Sequence, residues 1–173
     1  FAANPSGAFY QLNTDGKFYR LYKNQLPNSG FQGGTSGTWG SGAVAPTNWS
    51  AASATGSVTF AASSRYAGDY QVQYVATAQR PYLQSGNINV PAGVTVVYSF
   101  YVETLASGTP TIIDLITLNH AIAGTSTVYR KNGGAATSAS TVASGDFVEV
   151  AFTTTTAGGN VAVRHGLGAN GNA

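Results

Sequence analysis

Val94-Thr95-Val96-Val97-Tyr98-Ser99-Phe100-Tyr101-Val102-Glu103 is the longest run of strand-forming residues in the chain. Side chains alternate across a β-strand, so Val96, Tyr98, Phe100 and Val102 share one face and are expected to point at a core. Val97, Ser99, Tyr101 and Glu103 share the other. Pro91-Ala92-Gly93, just before this run, reads as a turn. The same period of two recurs on either side. Upstream it is found over 57–60, 69–75, 82–84 and 87–90, with Tyr70, Val72 and Tyr74 opposite Gln71 and Gln73. Downstream it is found over 111–118, 126–130, 147–153 and 160–164. Strands at this spacing, separated by Gly, Asn and Ser turns, predict an all-β sandwich or barrel. Helical turns are expected only at 104–106 or 120–123. Asp15-Gly16 between the apolar runs 8–12 and 17–21 predicts a β-hairpin. The Gly/Ser/Thr segment between Pro27 and Pro46 reads as a long loop.

Composition narrows the class. The chain has 173 residues, 8 Lys+Arg against 6 Asp+Glu, and is only 8% charged. Soluble domains average about one quarter charged residues, so Ser, Thr, Asn, Gln and Gly must wet this surface. Disorder requires high charge with low hydrophobicity, the reverse of this chain. Eight dispersed cations make a poor phosphate-neutralising cluster, so no nucleic-acid partner is expected. No run approaches the roughly 18 apolar residues of a membrane span, and no membrane insertion is expected. Cys is absent, which removes disulfides and thiolate metal sites. Met is absent too, and the start at Phe1 leads to the expectation of a piece of a larger protein.

The residues able to carry chemistry are few. Of six carboxylates, Glu103 and Asp114 lie on successive predicted strands and are a candidate pair for glycoside hydrolysis. An outer-face acid is the preferred reading of each. His120 and His165 are the only histidines, without neighbours that would complete a metal set. No Gly-x-Ser-x-Gly elbow is present. The expectation is a non-catalytic protein with no metal and no cofactor.

Aromatic residues carry more information. Tyr101 alternates with Ser99 and Glu103, and Tyr82 with Arg80 and Gln84. A sheet face bearing these six residues can stack a sugar ring on a phenol and hydrogen-bond its hydroxyls; packing partners or a subunit contact are the alternatives. Trp39 in the Gly-rich loop, with Phe9 and Tyr10 of the hairpin, are candidates for an interface. Trp49 is expected in the core.

Several motifs in order resemble one family. Asn28-Ser29-Gly30-Phe31 followed by Pro46-Thr47-Asn48-Trp49 is similar to the opening of a galactose-binding-like jelly-roll module. Gly68-Asp69-Tyr70-Gln71-Val72 resembles one of its strands. Val90-Pro91-Ala92-Gly93 with Ser99-Phe100-Tyr101-Val102 resembles its core, with Val96 where the family usually has Tyr. Residues 146–153 and 161–164 are similar to its closing strands. Such modules occur in glycan-degrading enzymes and in bacteriophage tail fibres, tailspikes and other virion proteins. The resemblance implies a jelly-roll β-sandwich of two antiparallel sheets over 26–173, with 1–25 as an N-terminal β-hairpin extension or adaptor. The family's last strand, which often carries an Asp and a calcium site, has no counterpart, so no metal is carried over. The implied role is a module at the virion surface, homo-oligomeric, contacting bacterial surface glycan and other virion subunits. A structural assembly or decoration protein without a sugar ligand, and a module of a secreted glycoside hydrolase, are the alternatives.

Overall fold

The computed structural model describes residues 2–3, 9–12, 18–21, 31–38, 42–52, 56–62, 70–76 and 82–167. In chain order its elements begin with β1 (Ala2–Ala3), β2 (Phe9–Leu12), β3 (Phe18–Leu21), β4 (Gly37–Thr38) and β5 (Trp49–Ala52). Then come β6 (Gly56–Ala62), β7 (Tyr70–Ala76), β8 (Tyr82–Ser85), β9 (Ile88–Val90) and β10 (Thr95–Tyr101). A one-turn helix α1 (Ile112–Leu115) precedes β11 (Ile116–His120), β12 (Thr125–Lys131), β13 (Gly134–Ala136), β14 (Phe147–Thr154) and β15 (Gly159–Gly166). The all-β class expected from the alternation is the class observed, built from several antiparallel sheets.

Two of these sheets matter most. One has the order β11-β15-β8-β5, with β9 also paired to β15; the other has the order β10-β14-β12-β13. β8 and β9 behave as one strand with a break, since β15 pairs first with β9 and then with β8. At the break the buried Ser85 substitutes for a backbone partner. Its Oγ accepts the Val163 N–H at 2.9 Å and donates to the Gly86 carbonyl at 2.8 Å. A buried N–H is thereby satisfied where the ladder is interrupted.

Both sheets feed one core. Leu83 and Val163 from the first meet Val148 and Val150 from the second, together with Trp49, Val58, Phe60, Ile112 and Ile116. Phe152, Val90 and Val161 form a second, smaller cluster, and Ile88 and Leu118 pack against both. Removing such side chains from water stabilises the fold by about 1.5–3 kcal/mol each before entropy is counted. On β10, Val96, Tyr98 and Phe100 pack against these clusters as expected, while Val97 and Ser99 are exposed. Trp49 is in the core, with its ring 4.8 Å from that of Phe31.

Two expectations need correction. Residues 111–118 are not one strand: the helical turn is at Ile112–Leu115, not at 104–106 or 120–123, and the strand starts at Ile116. The cause is local. Thr111 donates both its N–H (2.8 Å) and its hydroxyl (2.7 Å) to Asp114 Oδ2, and a helical turn brings both Ile112 and Leu115 into the core. The segment between Pro27 and Pro46 is not all loop, because it contains β4, paired to β6, and a bridge between Thr35 and Val44. The link from β12 to β13 is Asn132-Gly133, both at positive φ (52° and 78°), with Gly134 already in β13. That dipeptide suits the tight hairpin turn joining β12 to β13. At the N-terminus, β2 and β3 pair antiparallel from Phe9↔Leu21 to Leu12↔Phe18, as the two arms of the predicted hairpin; the turn between them lies outside the described residues.

Candidate functional site

The sugar-contact residues expected on one face divide between two. Tyr82 and Gln84 flank Leu83, which is fully buried, so they point away from the core on the outer side of the five-stranded sheet. Ser99 and Tyr101 alternate with the inward Tyr98 and Phe100, on the outer side of the four-stranded sheet. Glu103 follows two residues after β10 ends and is exposed. Arg80 and Trp39 lie outside the described residues. Phe9 and Tyr10 stand on β2, and their side chains lie outside the described part.

On the five-stranded sheet, pairing brings in a residue that alternation alone did not mark. Gln84 stands opposite Ser50 on one side and Arg164 on the other, and Arg164 stands opposite Thr117. The Arg164 Nε–H donates to Gln84 Oε1 at 2.8 Å, and its guanidinium carbon lies 5.5 Å from the centroid of the Tyr82 ring. The Ser50 hydroxyl reaches the Gln84 carbonyl at 3.4 Å. A cation over a ring face and a charge-assisted hydrogen bond together fix three side chains that would otherwise be free rotors. The result is a half-buried phenol, an amide and a guanidinium held together on the outer side of one sheet.

The outer side of the four-stranded sheet differs. Its cross-strand rows are Tyr101 with Phe147; Ser99, Glu149 and Arg130; Val97, Ala151 and Val128; and Thr95, Thr153 and Ser126. Val97, Val128 and Phe147 are exposed at 58%, 49% and 37%. The Thr95 and Thr153 hydroxyls bond to each other at 2.8 Å. This face is apolar and hydroxyl-bearing, with one cation and one carboxylate in the same row.

The remaining candidates have structural work. The Asp114 carboxylate caps α1 as described, and Glu103 belongs to another segment of the surface. His120 accepts the Ile122 N–H on Nδ1 at 3.3 Å and rests on Phe152, with ring centroids 4.6 Å apart. His165 points into the core among Phe31, Tyr74, Tyr98 and Phe100, whose ring centroids are 5.0–6.1 Å away. Its Nδ1 is 3.4 Å from the Tyr74 hydroxyl, and its buried Nε2 has no hydrogen-bond partner among the described residues. Burial lowers its pKa to about 4 and raises those of Tyr74 and Tyr98. Among the described residues no cluster of three or more His, Cys, Asp or Glu side chains gathers to hold a metal ion.

No family model, no curated protein and no solved structure matches this chain.

Proposed function

We propose that the chain is a non-catalytic binding module that holds cell-surface glycan on the outer side of its five-stranded sheet. The observation that carries this is the Tyr82–Arg164–Gln84 arrangement: a ring with its partners fixed before any ligand arrives. Preorganised side chains lose little freedom on binding, which matters for weak sugar contacts. Repetition of the site in an oligomer raises the avidity further.

The jelly-roll reading of the fold is supported by strand order. Counting β8 with β9 as the first strand, the second (β10) neighbours β14, β14 neighbours β12, and β12 neighbours β13. The first and the last (β15) are paired, and β15 also pairs with β11, the third. Thr141, in the segment before β14, bridges Thr111, which stands just before α1, the four-residue helix that leads into β11. We read this interleaving as two Greek keys wrapped together. A place in a bacteriophage tail fibre, tailspike or capsid appendage, with residues 1–25 as an adaptor, rests on the motif resemblance alone.

A glycan array on purified, folded protein tests the reading, followed by titration of Tyr82→Ala, Arg164→Gln and Tyr101→Ala. The first two are expected to weaken binding about tenfold or more, as loss of roughly 1.4 kcal/mol implies, and Tyr101→Ala to leave it unchanged. A folded, assembled sample that binds no glycan overturns it. A second reading, assembly into a particle without a sugar ligand, is favoured by the exposed Val97, Val128 and Phe147 on the other sheet.

A further inference from the structure

A cleft of about 190 Å3 opens where β11, at the edge of one sheet, faces β12 and β14 of the other. Its lining is half aliphatic, with Ile113 and Val150, and half polar, with Thr117, Thr127, His120 and Tyr129. None of its lining residues is a carboxylate, Lys or Arg. An ionic ligand would be desolvated there without a counter-charge, so the occupant is neutral.

The polar groups are positioned for a hydroxylated guest. Because His120 Nδ1 accepts the Ile122 N–H, the neutral ring carries its proton on Nε2, which is a donor. The contact with Phe152 holds the ring in place. Neither His120 Nε2 nor the Tyr129 hydroxyl has a hydrogen-bond partner among the described residues, and neither is sealed from solvent. The Thr117 hydroxyl donates to the Ile113 carbonyl at 3.3 Å, which leaves its lone pairs to accept. The volume lies below the roughly 300–1,000 Å3 of pockets for drug-sized ligands, leaving room for one ring and not two. A pyranose fits this description, with an apolar C–H face and a rim of hydroxyls.

The cleft also adjoins the Tyr82 face. Thr117 lines it and stands directly opposite Arg164 in the β11–β15 register, and Arg164 stands opposite Gln84. We propose that this cleft is a second subsite, taking one neutral hexose unit, a chain end or a branch, of a glycan laid across the Tyr82–Gln84–Arg164 cluster. The subsite role rests on the glycan-binding reading above; the pocket itself does not.

The test is an NMR titration of the full chain with neutral methyl hexopyranosides and, separately, with oligosaccharides bound on the array. Hexosides are expected to shift the amide signals of Leu118, His120, Thr127 and Tyr129. Tyr129→Phe and His120→Gln, each checked for folding by circular dichroism, are expected to weaken hexoside binding about five- to tenfold, and Ser126→Ala, on the outer side of the four-stranded sheet, to leave it intact. Shifts confined to the Tyr82 cluster, or unaltered affinity in both cleft variants, overturn the proposal. Oligosaccharide binding without any hexoside in the cleft overturns the subsite and spares the glycan reading. A hexoside entering the cleft of a protein whose Tyr82 face binds nothing overturns the glycan reading and the link between sites, and keeps the pocket.

Discussion

His165 Nδ1 lies 3.4 Å from the Tyr74 hydroxyl, while the other ring nitrogen is buried among aromatic rings without a partner. Protonating this imidazole inside the fold would place a charge where nothing compensates it, which is why its pKa falls to about 4. An unfolded chain takes up the proton near pH 6.5, so acid favours unfolding through the whole interval between the two values. Stability is therefore expected to be level above pH 7 and to fall by about 2 kcal/mol between pH 7 and pH 5. Urea denaturation at both pH values measures this. His165→Phe should flatten the dependence; an unchanged slope in that variant would remove His165 as its cause.

Asp146 ties the β12–β13 hairpin to the segment before β14. It accepts the Ala143 N–H at 2.8 Å and the Asn132 amide at 2.7 Å, with Lys131 Nζ at 3.4 Å. The Ala143 hydrogen bond is the largest cause of its lowered pKa, followed by Asn132 and the Lys131 charge. Asp146→Ala is expected to cost about 1–3 kcal/mol at pH 7 by leaving donors unmatched. Because the folded carboxyl holds its proton less tightly than the unfolded one, this contribution is complete above pH 4 and fades below it. Denaturation of wild type and variant at pH 7 and pH 3 should show the gap closing in acid.

Gly158 is a steric requirement, with no positive φ involved. A Cβ there would lie 2.7 Å from the Val90 carbonyl oxygen and 2.8 Å from the Ala92 nitrogen, both backbone atoms. Gly158→Ala must displace the end of β9 from β15, at about 1–3 kcal/mol. Thermal melting should drop by several degrees, given about 2–4 °C per kcal/mol for a chain of this size. A melting point within one degree of wild type would show that the Val90–Ala92 backbone yields at no cost.

Val97 and Val128, both exposed, flank the buried Ala151 in one cross-strand row. Converting both to Lys is expected to change the stability of an isolated molecule by less than about 0.5 kcal/mol per site. If that face packs against another subunit, the same change should dissociate the assembly. Sedimentation velocity separates the outcomes, and an identical profile for both proteins removes this face from any assembly contact.

Much of this fold was legible in short stretches. Val96, Tyr98 and Phe100 announce their inward face by spacing alone, because strand geometry allows one reading of such a pattern. The turn at Ile112–Leu115 was not: two adjacent Ile residues favour strand, and only the Thr111–Asp114 pair argues otherwise. Arg164 was missed for a different reason. Its meeting with Gln84, 80 residues away, depends on register, and register is set by pairing and by breaks such as Ser85. Alternation likewise states which side of its own strand Tyr82 or Tyr101 occupies. It does not state which sheet the strand joins, so two outward faces were read as one.

Because the two outer surfaces belong to sheets that share a core, they look away from each other. Packed sheets lie about 10 Å apart, so side chains and core separate whatever rests on each. Such a molecule is double-sided. Any contact made through the valine surface would leave the tyrosine–arginine surface uncovered, and crowding on one side does not obstruct the other.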